Sequence, residues 1–465
     1  MSADTVEVVY REWMRVDVMT RTQKESGIES KNSAGEDKDV DEHRIEGIGA
    51  GDRPVGRGGH AIAHLNGEQC DTDIQDSSSS SAPTHSSYLL IGGADRSGTA
   101  FGDVWELRCA FADAASPSQG SHRAADTWTW TRCIDAHGNE LNIPPRSGAT
   151  AVAMGARVVL FGGQDPVSGS CFNDTIILER VHVGGGLSPS VWTWRRSMPS
   201  ESSPAPPARH SHVCTSASSR LMVLFGGASH THGLLGDLWI FDTDTESWTH
   251  RKPDGESPAP REMAAATRIT LSLAPSSAAD ESSADGGHEH RGLLIHGGRG
   301  EAGVLGDAHL LRFRDWRWQK LSAAGSLPAQ VSGAVDRLSS VSQTRCAHCA
   351  VGISASRVLL CGGFDGAEVT GKAFIIDVDE RVRETVDGDS SHQDADGGGS
   401  DRNSVYAIVD SIRNDNTAAR FASAAVAMRA PPERIGDVNV RVTHVCLVGG
   451  VTAEADLADV LLLLS

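Results

Sequence analysis

Among the arginines of the 465-residue chain, six recur at intervals of tens of residues, most of them shortly after a proline. They are Arg57, Arg146, Arg209, Arg261, Arg345 and Arg420. A guanidinium group can hold a carboxylate or a phosphate through two parallel hydrogen bonds, so arginines gathered at one mouth would bind an acidic ligand. Alternatively, each arginine could pair with carbonyl oxygens or acids of a neighbouring structural unit. The sequence alone leaves both interpretations open.

The segment Cys346-Ala347-His348-Cys349 has the residue types of a metal or redox motif. A finger-type metal site needs a second ligand pair at suitable spacing, and a redox Cys-x-x-Cys motif lies at a helix N-terminus. We instead expect both cysteines on one strand, packed in the core. The sequence also lacks a glycine-rich phosphate loop and a nucleophile elbow. We therefore predict no catalytic residue, no metal site and no cofactor.

Composition excludes several classes of partner. The formal net charge of −19 and the pI of about 5.4 argue against a nucleic-acid partner, which requires a basic surface. No apolar run reaches the ~18 residues of a membrane span, and the polar start Met1–Thr5 predicts no signal peptide. The nine scattered cysteines predict reduced thiols, and with them a cytoplasmic or nuclear protein.

The elements that would position the arginines are marked by six Gly-Gly doublets, each of which ends a run of apolar residues. Their first glycines are Gly92, Gly162, Gly226, Gly297, Gly362 and Gly449. The mean step is (449 − 92)/5, about 71 residues. A period of tens of residues indicates a repeat architecture.

Each repeat contains four short apolar segments in a constant order. An arginine segment is followed by the Gly-Gly segment, then by one that usually opens with Asp, then by one that contains Trp, as in Trp128-Thr129-Trp130 and Trp316-Arg317-Trp318. Strand side chains alternate in direction, so Trp-x-Trp places both indoles on one face. Four antiparallel strands in each of six units predict an all-β, six-bladed β-propeller, which protects its sheet edges by radial repetition.

These motifs resemble the kelch-repeat family over nearly the whole chain. The fifth unit departs from the pattern because it lacks the Trp; its last strand is predicted at Val405–Val409. The repeat is also roughly twenty residues longer than the ~50 of a kelch repeat. The resemblance implies a non-enzymatic interaction fold. In kelch substrate adaptors of cullin-RING ubiquitin ligases, arginines at this repeat position contact acidic peptides or C-terminal carboxylates.

The termini predict how the ring closes. The sixth unit stops at its Asp segment, one strand short, whereas residues 8–16 form an unattached Trp-containing strand. We therefore predict that the N-terminal strand completes the last blade of a single monomeric propeller over residues 1–465. Polar segments that cannot bury enough surface to become ordered are predicted as mobile loops or insertions. They span residues 27–53, 71–86, 275–290 and 381–403.

In a propeller with the first strand of each blade innermost, the six arginines would ring one mouth of the central channel. The loops after the doublets reach the same face, and Gln164, Arg299 and Phe364 are their expected contact residues. We predict a protein-interaction module or scaffold that binds a protein or peptide segment there, with an acidic, phosphorylated or C-terminal carboxylate group. The alternatives are a substrate-recognition subunit of a cullin-RING ubiquitin ligase and an enzyme with a site on the propeller face.

Overall fold

The structure is a computed structural model. It describes residues 13–15, 18–20, 53–65, 85–110, 127–181, 191–198, 203–272, 289–323, 343–378, 405–412, 419–429, 433–435, 438–440, 443–452 and 454–463. Every regular element of more than one residue in these ranges is a β-strand. The all-β prediction is therefore confirmed.

The main strands form six blades of four antiparallel strands. Blade 1 contains Ala61–His64, His85–Ile91, Val104–Ala110 and Thr127–Arg132. Blade 2 contains Thr150–Met154, Arg157–Phe161, Thr175–Val181 and Val191–Arg196. Blade 3 contains Val213–Ser216, Leu221–Phe225, Leu238–Asp242 and Ser247–Arg251.

The second half of the ring repeats this arrangement. Blade 4 contains Ala265–Ser272, Glu289–Gly300, Gly303–Arg312 and Arg317–Ala323. Blade 5 contains Cys349–Gly352, Arg357–Cys361, Ala373–Val378 and Val405–Ile412. Blade 6 contains Ala424–Arg429, Thr443–Val451, Asp456–Leu463 and, from the N-terminus, Trp13–Arg15.

Short strands extend this plan. Val18–Thr20 pairs in parallel with the outermost strand of blade 1, and Asp254–Gly255 pairs in parallel with that of blade 4. The outermost strands of blades 4 and 5 are also paired in parallel. Two small hairpins are formed by Ala228–Ser229 with Gly233–Leu234, and by Glu433–Ile435 with Val438–Val440.

The first strand of each blade is the innermost one, because it contacts the first strands of both neighbouring blades all the way round. Apolar side chains fill the space between adjacent blades. Leu89, Leu160 and Trp192 share one cluster between blades 1 and 2, whereas Trp130 and Met428 share another between blades 1 and 6. Each blade thus buries both faces of its sheet against its neighbours, as the apolar strand pattern requires.

The predicted closure of the ring by the N-terminal strand is confirmed. Trp13–Arg15 pairs antiparallel with the third strand of blade 6, and Trp13 lies opposite Leu463. Because Val18–Thr20 then joins blade 1, the N-terminal segment bridges the first and last blades. The predicted strand at Val405–Val409 is also confirmed, within Val405–Ile412.

Some local predictions are wrong. Trp316 lies in a turn with a φ of 53° before the strand Arg317–Ala323, so it does not share a strand face with Trp318. Cys346 precedes the strand Cys349–Gly352 and does not lie on it, although both cysteines are buried. Residues 85–86 and 289–290 belong to strands, not to the predicted loops. The rest of those four loops, apart from Arg53, lies outside the described residues.

Candidate partner-binding face

Each of the six arginines crosses from the start of its blade to the Gly-Gly doublet of the same blade, as blade 3 illustrates. Arg209 donates from Nε to the carbonyl oxygen of Pro207, at 3.0 Å, and from Nη1 to that of Gly226, at 2.9 Å. Its Nη1 and Nη2 also donate to the two carboxylate oxygens of Asp237, each at 2.7 Å. The guanidinium group therefore ties the blade entry to its second and third strands.

The same pairing recurs in four other blades, where the arginine binds an Asp that lies directly before the third strand (blades 1 and 2) or within it (blades 4 and 6). These pairs are Arg57–Asp103, Arg146–Asp174, Arg261–Asp307 and Arg420–Asp459. The side chains of all six arginines are at most 1% exposed. The prediction that these guanidinium groups line an accessible mouth is wrong, because the blade's own aspartates and carbonyl oxygens occupy them.

The ion pairs hold the aspartates in their charged form. Burial raises the pKa of Asp103, Asp174 and Asp237, but the hydrogen bonds and charge of the paired arginine outweigh it and leave each pKa below the ordinary value. In two of these ion pairs the aspartate also accepts a hydrogen bond from an indole. Trp105 and Trp239 each donate from Nε1 to the aspartate two residues before them.

Blade 5 lacks the aspartate, because Lys372 stands at its position. Arg345 donates from Nη1 to the carbonyl oxygens of Gly362 and Lys372, at 3.2 and 3.1 Å, and its guanidinium carbon lies 4.6 Å from the centre of the Phe374 ring. Burial lowers the pKa of Arg345 to about 10.

The doublets are glycine because the next blade lies against them. A Cβ on Gly162 would lie 2.6 Å from the carbonyl oxygen of Arg209, and Gly163 has a φ of 96° and donates its N–H to the same oxygen. No other residue type fits both requirements without strain. The Arg and Gly-Gly motifs therefore connect each blade to its neighbour as well as bracing it internally.

A closed ring of backbone hydrogen bonds lies around the propeller axis. Its six members stand two positions after the arginines and are Gly59, Gly148, Ser211, Met263, Ala347 and Ala422. Each N–H donates to the carbonyl oxygen of the member in the preceding blade, at 2.7–2.9 Å, and Gly59 donates to Ala422 to close the circle. All six have φ between 52° and 69°, a strained conformation for the four that are not glycine.

Directly beside this circle lies what we call the mouth ring, formed by six residue pairs. In each blade the residue after the arginine exchanges two backbone hydrogen bonds with the residue after the doublet. The pairs are Gly58–Ala94, Ser147–Gln164, His210–Ala228, Glu262–Arg299, Cys346–Phe364 and Phe421–Val451. The ring therefore contains Gln164, Arg299 and Phe364, in blades 2, 4 and 5.

The mouth ring has an apolar and a polar side. Blades 5 and 6 contribute Cys346, Phe364, Phe421 and Val451, of which the last three are partly buried. Blades 2–4 contribute the polar residues, among them the one ion pair of the ring. Sequence reasoning missed Phe421, Glu262 and His210, although their position directly after an arginine marks them.

The ion pair joins an exposed cation to a buried acid. The Arg299 side chain is 56% exposed, whereas that of Glu262 is 2% exposed. Arg299 donates to Glu262 Oε1 from both Nε and Nη2. Glu262 Oε2 has no hydrogen-bond partner among the described residues and lies 3.8 Å from His210 Nδ1. Burial lowers the pKa of His210, although the charge of Glu262 opposes the effect.

Three histidines lie under the ring in alternate blades, three positions after the arginine. They are His60, His212 and His348, and all three are buried. Burial, assisted by Arg57, lowers the pKa of His60 to about 3, and burial also holds the pKa values of His212 and His348 well below the ordinary value. These imidazoles are therefore neutral packing groups at pH 7.

Within the described part of the chain, no group of three or more His, Cys, Asp or Glu side chains is placed to hold a metal ion. No helix in that part is long and apolar enough to cross a membrane.

Comparison with known families identifies the repeat. A family model described as the KLHDC2/KLHL20/DRC7 Kelch-repeats domain matches residues 69–274 and 125–335, which together cover more than half of the chain. The chain belongs to the kelch-repeat family. The resemblance inferred from the doublets, aspartates and tryptophans is thereby confirmed, and kelch propellers are in general protein-interaction folds.

Several curated proteins share about 30% identity with parts of this chain. Host cell factor of Drosophila melanogaster is 28% identical over 260 residues, 52% of this chain and 15% of that protein. Adagio-like protein 1 of Oryza sativa subsp. japonica is 30% identical over 192 residues, 40% of this chain and 26% of that protein. The dynein alpha chain of the Chlamydomonas reinhardtii flagellar outer arm is 29% identical over 192 residues, but only 4% of that protein is covered.

Proposed function

We propose that this kelch propeller is a non-enzymatic protein-interaction module that binds an extended segment of a partner protein at the mouth ring. The observation that carries the proposal is the pair Phe364 and Phe421, which stand on neighbouring blades beside a polar arc. Partly exposed aromatic side chains next to charged groups are typical of the central anchors of protein interfaces.

Rigidity supports the same site. The mouth ring is fixed by reciprocal backbone hydrogen bonds in every blade and lies against the circle that runs round the axis. Little backbone conformational entropy is therefore lost when a partner binds, so a few side-chain contacts can provide most of the affinity. The six buried arginines support this site from beneath and do not contact the partner.

The test compares the native chain with a variant that carries Phe364→Asp and Phe421→Asp. Affinity capture with quantitative mass spectrometry should show a defined set of proteins that binds the native chain and is lost from the variant. The matched control is Met198→Asp, because Met198 is 85% exposed and follows the outermost strand of blade 2, away from the axis. Circular dichroism and thermal melting establish that each variant is folded.

Equal capture by all three forms would place the interaction outside the mouth ring and contradict the proposal. Loss of the same proteins from the Met198 control would also contradict it. A cullin among the proteins lost only from the double variant would favour the substrate-recognition alternative.

A further inference from the structure

We infer that the partner segment is basic and places an apolar side chain on Phe364 and Phe421 and a cationic side chain at Glu262. This inference rests on the proposed function, since it assigns the chemistry of the segment that binds at the mouth ring. It is the opposite of the acidic partner that the six arginines suggested in the sequence.

The charge at the mouth depends on what remains once the arginines are paired. Five of the six guanidinium groups are neutralised by aspartates of their own blades, and all six are shielded from solvent. The positive potential expected at the mouth is therefore largely cancelled. A partner is attracted or repelled by the other charges around the ring.

Those charges are mainly negative. In each blade a segment begins at the mouth ring and runs from the doublet to the position of the paired aspartate. Together these segments contain seven carboxylates besides the paired aspartates, against three cations. The carboxylates belong to Asp95, Asp165, Glu301, Asp365, Glu368, Glu454 and Asp456, and the cations to Arg96, Arg299 and Lys372. Hydrogen bonds from Ser97 and from nearby backbone N–H groups hold the pKa of Asp95 below its ordinary value, and similar bonds do so for Asp165 and Asp365. The segments that begin at the mouth ring are thus acidic at neutral pH.

Glu262 places a buried carboxylate within the ring. Glu262 Oε2 accepts no hydrogen bond from the described residues, although a buried carboxylate oxygen is costly to leave without a donor. Oε1 is bound by Arg299, which is mostly exposed and lies on the outer side of the pair. Arg299 therefore occupies the carboxylate much as a guanidinium or ammonium group of a partner would.

The apolar side of the ring completes the specificity. Phe364, Phe421 and Val451 lie on blades 5 and 6, and Glu262 lies on blade 4 beside them. A segment across blades 4–6 would contact the carboxylate and the phenyl rings within one short stretch. We expect a Lys or Arg separated by a few residues from an aromatic or aliphatic side chain.

The probe is a phage-displayed library of random 12-residue peptides, selected on the folded full chain. We expect the enriched peptides to carry a net positive charge and an apolar residue near a Lys or Arg. A synthetic copy of the most enriched peptide then gives dissociation constants by fluorescence anisotropy. Its affinity should fall as KCl is raised from 50 to 300 mM, because exposed opposite charges are screened by salt.

Two substitutions should act in opposite directions. Glu262→Gln keeps the side-chain shape but loses the charge, so it should weaken binding of the basic peptide about tenfold or more. Arg299→Ala releases the carboxylate and should leave the affinity unchanged or raise it. Because Glu262 is buried, a second variant with Glu301→Gln and Glu368→Gln, both at exposed positions, tests the charge without altering the ring. It should weaken binding by a smaller factor.

The failures of the two proposals are distinguishable. Enrichment of acidic peptides whose binding is lost in Arg299→Ala would overturn the basic-partner inference and leave the mouth ring as the binding site. Basic peptides that bind equally to the native chain and to the Phe364→Asp, Phe421→Asp variant would overturn the proposed site itself. Absence of any enriched peptide would count against the proposed function.

Discussion

At the scale of single residues, the arginines have a side-chain chemistry that suits ligand binding, yet their role is structural. In blades 1–4 the guanidinium fork reaches two carbonyl oxygens and both oxygens of one carboxylate, as Arg209 does with Pro207, Gly226 and Asp237. Lysine could not make this set of contacts, because its ammonium group is a single point charge. The geometry that suits an acidic ligand is thus satisfied inside the blade.

Blade 5 provides a test, because Lys372 replaces the aspartate there. We expect Lys372→Asp to stabilise the protein by about 1–3 kcal/mol, since it places a carboxylate beside the buried Arg345 guanidinium. Chemical denaturation measures the change, and Lys372→Asn is the matched control without the charge. If the Asp and Asn variants unfold at the same denaturant concentration, the ion pair does not contribute in this blade.

At the scale of elements, the interfaces between blades are decided by what packs against the doublets. A Cβ on Gly162, Gly297 or Gly449 would lie within about 3.1 Å of Cε1 of His212, His348 or His60. Each imidazole at the start of one blade therefore fills space beside the doublet of the blade before it. The remaining interfaces have smaller residues at that position, namely Ala149, Ala264 and Ser423.

These histidines predict an acid-sensitive stability. Their folded pKa values lie below the ordinary value of 6.5, to about 3 for His60. Above pH 6.5 neither folded nor unfolded protein binds the proton, so stability is unaffected. As the pH falls below 6.5, the unfolded state binds a proton at these positions while the folded imidazoles stay neutral, which for His60 continues down to a pH of about 3. In that range unfolding becomes easier by about 1.4 kcal/mol per pH unit for each histidine that remains neutral in the folded state.

We expect the double variant His60→Gln, His212→Gln to lose less stability between pH 7.5 and 4.5 than the native chain. Urea denaturation at four pH values provides the slope, which does not depend on how much the variant is destabilised at pH 7.5. Exposed His230→Gln is the control and should retain the native slope. An unchanged slope in the double variant would assign the acid sensitivity to other groups.

At the scale of the whole molecule, the ring is closed in several ways that all join the first and last blades. The N-terminal strand pairs with blade 6, the axial circle closes from Gly59 to Ala422, and Gly450 donates to the carbonyl oxygen of Arg57. Each contact forms only when all six blades are present. Ring stability should therefore be cooperative, although neighbouring blades contact one another locally.

Truncation tests the closure. Deletion of residues 1–16 should destabilise the propeller by about 2–3 kcal/mol, because the third strand of blade 6, with buried Leu461 and Leu463, becomes an unpaired edge. Deletion of residues 1–7 is the control, since it leaves Trp13–Arg15 in place. Differential scanning calorimetry measures both, and equal melting temperatures would show that the strand does not close the ring.

The sequence by itself determined the architecture of this protein, and the reason is periodicity. Doublets, aspartates, tryptophans and arginines occur in one order in unit after unit, so the strand order, the blade count, the last strand of blade 5 and the N-terminal closure could all be predicted. Repetition averages out local ambiguity, because each unit must bury its faces against units of the same kind. The prediction for Trp316 is wrong because this residue lies in a turn with positive φ, directly before the strand that contains Trp318.

Only the tertiary structure decided the purpose of the charged residues. Arg209 and Asp237 are 28 residues apart, and nothing in the sequence shows that their side chains are joined within one blade. Burial depends on how the strands pack around the axis. Because the six arginines are buried, they stabilise their own blades and are not available to a ligand. The same packing brings Glu262, Phe364 and Phe421 to one ring from separate repeats, because residues at equivalent positions meet only when the propeller closes.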